Sequence, residues 1–382
     1  MKDIAWFKDI KKEDKLLSNE QLDLTKIIPK YIFTKNGKRY PFYISYAGKQ
    51  VLISKAKKKH SQDYIKKYIK VPKNKICLWY YWFAGKNQNQ SKNNGIRFNY
   101  LITNRYIILD KLTLKALGLL QAEMTKSNGL LSSIIFVNSQ PELINIIMKF
   151  FEKYYHIKKI NWAWNISFNY KLKNEEVRKE TNLREKLATK FWEKSCKLHN
   201  NKKLINFIYY TGNKKYMRMS PNTKKYGSVR ILYSNLLLNR LILNILNSIK
   251  KVIQNNNLIV FYLQGLFAGE GDIKLTSSGS IDSVRLGCTN LKEKKYYIKL
   301  LKRLQIKSKL EENYICVNNR KNFIKMYKLG LLKLHQQRYK KFLNGFLKFR
   351  YNPTQNYLKE QLINIKKEIY KKVLNEQFHK VV

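Results

Sequence analysis

Acidic residues, cysteine, proline and glycine are all scarce in this chain of 382 residues. Asp and Glu number 25 against 77 Lys and Arg, so the net charge of +52 excludes an acidic protein. Four Cys without a Cys-x-x-Cys pair exclude a disulfide framework and favour a reducing compartment. The 6 Pro and 15 Gly exclude a linker or a collagen-like fibre. Because no apolar run reaches the roughly 18 residues of a spanning helix, and the N-terminus lacks an apolar signal core, we expect an intracellular protein without a membrane partner.

The residues that are abundant predict a folded protein that binds a polyanion. Hydrophobic residues make up 44% and aromatic residues 13% of the chain, enough to build a core. A large excess of one charge destabilises the compact state unless a polyanion neutralises it. Composition therefore predicts a nucleic-acid partner. Heavy use of Lys, Asn, Ile and Tyr is typical of an AT-rich genome, which places the protein in an organelle (mitochondrion or chloroplast) or in a prokaryotic cytoplasm.

The first part of the chain, residues 1–98, is predicted to be a basic, β-rich extension. Strand-like runs lie within 31–54 and are separated by the turn signals Asn-Gly at 36–37 and Ala-Gly at 47–48. A basic helix is predicted at 55–70. The run LWYYWF at 78–83 favours a core strand, with a base-stacking platform as the alternative. The polar stretch 86–95 indicates a linker, which sets a boundary near Asn99.

Two similar units and a basic helical extension follow. Their predicted bounds are 99–255, 256–350 and 351–382. In both units, a short apolar helix precedes strands, a second helix and further strands. Repetition of one element order indicates a duplicated supersecondary unit.

The apolar helices carry the same nine-residue motif, ALGLLQAEM at 116–124 and LQGLFAGEG at 263–271. Small residues recur on one face of each helix, which predicts close backbone contact between two helices: Gly118, Ala122, Gly265 and Gly269. The eighth position is Glu123 in one motif and Glu270 in the other, each at a helix C-terminus, where the helix dipole disfavours an anion. Two carboxylates in a basic protein are the ligands needed to hold divalent metals for phosphodiester cleavage.

The pair of motifs resembles those of the LAGLIDADG homing endonucleases in their single-chain, two-motif form, over roughly residues 103–350. The resemblance implies an α+β fold of two tandem αββαββα repeats forming a pseudo-twofold saddle, with the β-rich extension added. It implies that Glu123 and Glu270 bind Mg²⁺ or Mn²⁺ and act in catalysis. The chain departs from the family at Met124, where Gly is usual, and a non-Gly residue resists the φ > 0 expected of a tight turn there.

The resemblance also implies a basic group near the scissile phosphate. The segment LLKLHQQR at 331–338 offers Lys333 and His335 as catalytic candidates and Arg338 as a DNA contact, the alternative being a basic helix start that touches phosphates. Asp272 is interpreted as a solvent-facing strand residue. Cys196-x-x-His199 lacks a second ligand pair, so a helix C-terminus with a buried thiol is favoured over a zinc site.

DNA-reading side chains are expected on the outward faces of the strands, since a β-ribbon fits the major groove. Alternation with apolar residues selects the candidates Lys274, Thr276, Ser283, Arg285, Thr289, Asn165, Ser167 and Asn169. A solvated sheet face is the alternative for each of them.

The function that follows is a site-specific, metal-dependent double-strand DNA endonuclease, intron-encoded and monomeric, with a long asymmetric target. Asymmetry follows because the two units differ in sequence. The alternatives are an RNA maturase that binds its host intron, and a non-cutting DNA-binding regulator of the same fold.

Overall fold

The computed structural model describes most of the chain from residue 96 onward and shorter stretches before it. The described residues are 21–24, 31–33, 39–41, 43–46, 49–52, 71, 74–83, 96–124, 133–170, 176–199, 202–204, 209–210, 225–253, 255–349 and 356–378. The predicted helix at 55–70, both predicted turns and the predicted linker lie outside these ranges. Within them, no helix is long and apolar enough to cross a membrane.

The described part of the chain is a mixture of helices and small sheets. The helices, in chain order, are α1 Lys111–Glu123, α2 Pro141–Tyr155, α3 Glu176–Cys196, α4 Leu236–Val252, α5 Asn256–Glu270, α6 Leu291–Arg303, α7 Arg320–Lys328, α8 Gln336–Leu347 and α9 Asn356–Phe378. The strands are β1 Gln21–Asp23, β2 Tyr31–Phe33, β3 Arg39–Pro41, β4 Tyr43–Tyr46, β5 Lys49–Leu52, β6 Lys75–Phe83, β7 Ile96–Asn104, β8 Tyr106–Ile108, β9 Ser133–Asn138, β10 Ala163–Ser167, β11 Asn169–Tyr170, β12 Tyr209–Tyr210, β13 Ser228–Ser234, β14 Gly271–Leu275, β15 Ile281–Gly287, β16 Lys309–Leu310 and β17 Tyr314–Val317. The apolar helix and the second helix predicted in each unit are confirmed by α1 and α2 and by α5 and α6, and the predicted helical extension is confirmed by α9.

Polar caps fix where several of the helices begin. Asn255 precedes α5 and its side chain accepts a hydrogen bond from the backbone N–H of Asn257 at 3.0 Å. Asn290 precedes α6 and accepts from the backbone N–H of Glu293 at 3.1 Å. Each cap satisfies an N–H group that the helix itself leaves without a partner.

The chain divides into two compact units. One unit comprises residues 1–113 and 123–252, and the other comprises residues 114–122 and 253–382. The middle of α1 therefore groups with the later part of the chain. The division into 1–98, 99–255, 256–350 and 351–382 stays a prediction.

The N-terminal strands of the first unit build a four-stranded antiparallel sheet in the order β5-β4-β6-β7. The run LWYYWF lies in β6, and its residues Leu78 and Trp79 are buried, as the core interpretation predicted. Strand β7 pairs with β6 along its whole length, with Asn99 opposite Tyr80. The predicted boundary near Asn99 falls inside this ladder, so a cut there would divide β7.

A second sheet of the first unit has the order β10-β13-β9, and all its pairings are antiparallel. Helix α3 and the short strands β11 and β12 lie in the chain between β10 and β13. Immediately after α1, Met124 forms an isolated antiparallel bridge to Phe136 of β9. The end of the first motif is therefore joined to this sheet.

In the second unit, the order of elements from α5 to α7 is the predicted αββαββα. Its sheet has the order β14-β15-β17-β16 and is antiparallel throughout. Strand β14 follows α5 directly, and Gly271 pairs with Leu286. Three strands of this sheet, β15, β17 and β16, occur in the same order as β9, β13 and β10 of the first unit.

The C-terminal helix α9 packs within the second unit. It buries Leu362, Ile365 and Ile369, which lie three and four residues apart on one helix face. The hydroxyl of Tyr327 in α7 donates to Glu368 Oε2 at 3.1 Å. This extension therefore adds to the packed layer of helices on the second unit.

Candidate active site

The two motif helices touch backbone to backbone at one glycine of each. A Cβ placed on Gly118 would lie 2.2 Å from the carbonyl oxygen of Tyr262 and 3.0 Å from Cα of Gly265. A Cβ placed on Gly265 would lie 2.3 Å from the carbonyl oxygen of Lys115. A side chain at either position would overlap the neighbouring backbone, so only glycine fits. The predicted close approach of the helices is confirmed at these two positions.

Each motif helix ends on its acid, and the contacting glycine precedes that acid by the same number of residues in both helices. Glu123 is the last residue of α1 and is half-buried, whereas Glu270 is the last residue of α5 and is exposed. The spacing is equal because 123 − 118 and 270 − 265 both give five. Each carboxylate stands at the negative end of a helix dipole, where a cation is stabilised.

The carboxylate of Glu270 lies beside the backbone of β15. A Cβ placed on Gly287 would lie 3.0 Å from Glu270 Oε2. Any side chain at Gly287 would therefore fill the space next to the carboxylate oxygen. Glycine at this position therefore leaves the space beside the carboxylate without a side chain from β15.

The glycine that follows Glu270 is required for a reason that differs from the prediction. Gly271 has φ −74° and ψ 147°, which is extended backbone open to any residue, so the expected φ > 0 is wrong. A Cβ on Gly271 would instead lie 2.2 Å from the carbonyl oxygen of Phe267. In the first motif, Met124 does not have a positive φ, and its side chain is only 3% exposed. The ninth position of the first motif is therefore part of the core.

The donor set at the helix ends fits a hard divalent cation. Carboxylate oxygens are the ligands that Mg²⁺ and Mn²⁺ prefer, and Mg²⁺ commonly takes one or two of them together with substrate phosphates and water. Among the residues that the structure describes, no group of three or more His, Cys, Asp or Glu side chains forms a cage for a metal ion. Glu123 and Glu270 each supply a carboxylate of the kind that such cations prefer.

A loop beyond α7 is tied to the second motif helix. Gln264 is buried in α5, and its Nε2 donates to the carbonyl oxygen of Gly330 at 3.2 Å. Arg338 in the first turn of α8 donates through Nη1 to the carbonyl oxygens of Phe267, at 2.9 Å, and Ala268. The guanidinium thereby caps the last turn of α5, where the helix dipole is negative. This contact was not predicted, and a DNA contact by Arg338 stays a prediction.

The two predicted catalytic helpers lie in the same loop. His335 is the N-terminal cap of α8, is 8% exposed, and accepts through Nδ1 from the backbone N–H of Arg338 at 3.3 Å. Burial, together with the charge of Arg338, lowers the pKa of His335 to about 3, so the imidazole is neutral at physiological pH. Lys333 is exposed, and its side chain passes over Gly330. Of the two, only Lys333 offers a positive charge.

The predicted DNA-reading residues of the second unit occupy different environments. Lys274 is exposed and lies 3.0 Å from an Asp282 carboxylate oxygen. Thr276 and Thr289 are exposed and lie outside the strands, in the β14–β15 turn and before α6. Ser283 is only 3% exposed, which corrects its expected outward position.

Arg285 is held by neighbours on the sheet. It forms an ion pair with Asp272 on the adjacent strand β14, and its guanidinium lies 4.8 Å from the centre of the Tyr314 ring. Partial burial raises the pKa of Asp272, but the hydrogen bond from Arg285 and the charges of Lys341 and Arg285 lower it overall. Asp272, expected to face solvent alone, is therefore a partner that orients Arg285.

In the first unit, the predicted readers lie on β10 and β11. Asn165 is only 5% exposed, so the expected outward position is wrong for it as well. Ser167 is half-buried and donates to the carbonyl oxygen of Ser228 at 3.3 Å. Asn169 lies in β11, and its side chain is outside the described part of the structure.

The Cys-x-x-His pair ends helix α3, as the sequence indicated. Cys196 is the last residue of the helix and is fully buried, and burial raises the pKa of its thiol to about 12. The carbonyl oxygen of His199 accepts a hydrogen bond from Trp164 Nε1 at 2.8 Å. The pair therefore packs α3 onto the sheet of the first unit.

One polar contact of the motif helices was missed by sequence reasoning. Gln121, at the sixth position of the first motif, donates through Nε2 to Glu293 Oε1 at 2.9 Å. The two residues are 172 positions apart. No local pattern predicts such a pair, and the signal in the sequence is an amide side chain that follows the apolar residues of the motif.

Comparison with known proteins gives structural matches alone. No family model matches the chain, and no curated protein matches it. Among solved structures, I-DmoI, a homing endonuclease, in complex with DNA and Mn is 14% identical, with 59% of this chain and 98% of that chain covered at a TM-score of 0.28. The complex of I-DmoI with DNA and Ca is 13% identical, with 57% and 87% covered at a TM-score of 0.27. The N-terminal LAGLIDADG domain of DUF199/WhiA is 13% identical, with 60% and 86% covered at a TM-score of 0.27.

The matching structures include a homing endonuclease and a LAGLIDADG domain. TM-scores of 0.27 and 0.28 are too low to establish a shared overall architecture. The resemblance therefore rests on the motifs, the acids and the local geometry of this chain.

Proposed function

We propose that this protein is a site-specific endonuclease of the LAGLIDADG type that cleaves both strands of DNA with a divalent metal. The observation that carries the proposal is the contact of the two motif helices at Gly118 and Gly265, with an acid five residues beyond each glycine. No side chain fits at Gly118 or Gly265, and both helices end on a glutamate. Packing of the helices does not require these two carboxylates. Binding of a metal ion at the DNA backbone would require them.

The acids Glu123 and Glu270 would hold Mg²⁺ or Mn²⁺ through their carboxylate oxygens. A bound divalent ion would stabilise the charge that develops on the scissile phosphate. Arg338 neutralises the C-terminal carbonyls of α5 and so supports the turn that presents Glu270. Lys333 is the basic side chain of the adjoining loop that is exposed to an incoming phosphate.

Double-stranded DNA would lie against the sheets, which we propose to form a pseudo-twofold saddle. The shared strand order of β9, β13, β10 and of β15, β17, β16 supports two tandem repeats. Lys274 and Thr276 present exposed polar groups from the second sheet and its turn. Asp272 and Tyr314 fix the orientation of the Arg285 guanidinium, which would contact DNA. The net charge of +52 supports additional phosphate contacts.

Two different sheets would read two different half-sites, so the target would be long and asymmetric and the protein would act as a monomer. An intron is the proposed location of the gene. Splicing assistance and DNA binding without cleavage are the alternative functions, and the following experiment separates the second of them from cleavage.

The test is cleavage of a random-sequence plasmid library, followed by recovery of the cut target. We expect wild-type protein to linearise the target with Mg²⁺ and to leave it intact with EDTA. Glu123→Gln and Glu270→Gln each remove an anionic ligand without changing size, and each should reduce cleavage by about a thousandfold while binding survives. Specific binding without cleavage by the wild-type protein would favour the regulator, and full activity of both variants would reject the assignment of the acids.

A further inference from the structure

We propose that Gln121 and Glu293 form a positioning tie that fixes Glu123, whereas the turn that presents Glu270 is held through its backbone. The two strand-cleavage steps would then depend on differently supported acids. The inference rests on the proposed endonuclease function. It assigns a role to two residues that lie outside the metal-binding acids.

The tie is a hydrogen bond of ordinary length inside the second unit. Gln121 is only 4% exposed, and its Nε2 lies 2.9 Å from Glu293 Oε1. Glu293 stands in the first turn of α6, where the positive end of the helix dipole stabilises its carboxylate. The backbone N–H of Glu293 donates to the capping side chain of Asn290. The backbone of Glu293 is therefore fixed in the first turn of α6 by a contact that does not involve Gln121.

Two buried tyrosines lie beside the tie, whose acceptor Glu293 is itself half-buried. Tyr262 of α5 is fully buried, and Tyr297 lies one turn beyond Glu293 in α6 and is also buried. Burial, with the nearby charge of Glu293, raises the pKa of the Tyr297 hydroxyl. A hydrogen bond to an ionised carboxylate is stronger than a neutral one, and exclusion of water strengthens it further.

The tie acts on Glu123 through the last turn of α1. Gln121 precedes Glu123 by two residues in the same helix. Consecutive residues of a helix are separated by a fixed rotation and a rise of about 1.5 Å. Fixing the side chain of Gln121 to α6 therefore fixes the rotation and the axial position at which the helix presents Glu123.

The second motif has alanine at the equivalent position. Its sixth residue is Ala268, two positions before Glu270, and a methyl group cannot donate a hydrogen bond. The last turn of α5 is instead held through its backbone, by Arg338 on the carbonyl oxygens of Phe267 and Ala268. Loss of the Gln121 tie should thus loosen one acid and leave the other in place.

The experiment measures the cleavage rate of each strand separately, on a duplex that the wild-type protein cuts, with each strand end-labelled in turn. Gln121→Met keeps the length of the side chain and removes the donor. We expect the ratio of the two single-turnover rates to change by about tenfold, the effect of roughly 1.4 kcal/mol on one barrier. The midpoint of the Mg²⁺ titration should rise for the affected strand only, which a general loss of structure would not produce.

A charge exchange tests the same contact without removing it. Gln121→Glu places two carboxylates together and should shift the strand ratio further than Gln121→Met. The double variant Gln121→Glu with Glu293→Gln restores a donor and an acceptor in exchanged positions, and it should return the ratio towards that of the wild type. Gln361→Met is the matched control, because Gln361 is exposed on α9, where its Oε1 accepts a 3.3 Å hydrogen bond from Lys328.

The outcomes separate this inference from the function on which it rests. Wild-type protein that cuts neither strand rejects the endonuclease, and the tie with it. Wild-type protein that cuts both strands, with an unchanged ratio or equal losses in a folded Gln121→Met variant, rejects the tie alone. If Gln121→Met does not fold, the double variant Gln121→Glu with Glu293→Gln provides the test. Failure of this double variant to restore the wild-type ratio of the two strand-cleavage rates rejects the tie.

Discussion

The two motif helices share a contact and a terminal acid, yet the surroundings of the two acids differ. In α1, the sixth residue is Gln121, bonded to Glu293, and the ninth is Met124, buried and bridged to Phe136. In α5, the sixth residue is Ala268 and the ninth is Gly271, whose missing side chain admits the carbonyl oxygen of Phe267. The end of the first motif is thus held through its own side chains, and the last turn of the second helix is held through its backbone carbonyl oxygens.

This difference shows which parts of the motif are fixed by geometry. Gly118 and Gly265 are equivalent because one crossing imposes the same steric demand on both helices. The sixth and ninth positions lie away from the crossing, and each adapts to the strands and helices that it meets. Residues at the same position of the two motifs therefore have the same packing environment only where the helices cross.

The largest effect is expected at the shared contact. Gly118→Ala and Gly265→Ala each place a Cβ within 2.2 to 2.3 Å of a backbone oxygen, and overpacking against backbone should lower the free energy of unfolding by more than about 3 kcal/mol. Gly279→Ala, in the exposed β14–β15 turn with φ +81°, should cost only about 1 kcal/mol. Urea denaturation measures all three. Similar losses at Gly118 and Gly279 would contradict the crossing.

The two motifs should differ in whether they tolerate glycine at the ninth position. Met124→Gly restores the residue usual in the family, but it removes a buried side chain and should lower the free energy of unfolding by about 3 kcal/mol. Urea denaturation measures the loss, and Met326→Gly, at another buried methionine, is the matched comparison and should lose at least as much. A Met124→Gly variant as stable as the wild type would show that the first motif tolerates the family residue.

The cap beside the second motif should introduce a pH dependence. His335 has a folded pKa of about 3, below the 6.5 of the unfolded chain, so the unfolded state binds the proton first as pH falls. Its contribution to stability is complete above pH 6.5 and declines towards pH 3, by about 2 kcal/mol at roughly pH 5. His335→Asn keeps a capping side chain that does not titrate. Denaturation at several pH values should show a shallower decline for this variant, and parallel curves would refute the role of His335.

The smallest effect is expected for the guanidinium on α5. Arg338→Leu removes the hydrogen bonds to Phe267 and Ala268, and it should lower the unfolding free energy by about 1.5 kcal/mol. Lys340→Leu, on the exposed face of α8, should change it by no more than about 0.5 kcal/mol. Equal free energies of unfolding for the two variants would mean that the contact of Arg338 with α5 does not stabilise the protein.

The family resemblance implied the order of elements from α5 to α7, whereas sequence patterns predicted the two motif helices and the glycine contact. These features depend on local periodicity and on residues that alone fit a close approach. Alternation also placed polar residues on one face of each strand, but Ser283 and Asn165 are buried. Alternation determines which residues share a face, whereas burial depends on what covers that face.

The roles of the polar residues around the acids required the folded chain. His335 accepts from a backbone N–H only three residues away, but the burial that lowers its pKa depends on the elements that cover it. Asp272 orients Arg285 because two strands pair in one register. Neither burial nor strand register follows from residue type or spacing alone.

By itself, the sequence determined that the chain is strongly basic, that two helices meet through glycine and that each ends on an acid. These properties follow from residue type and short spacing. Only the tertiary structure decided that Gln121 bonds to Glu293 and that Arg338 caps α5. Such partners lie 172 and 71 residues apart, and contacts across that distance are set by the packing of whole elements rather than by any local pattern.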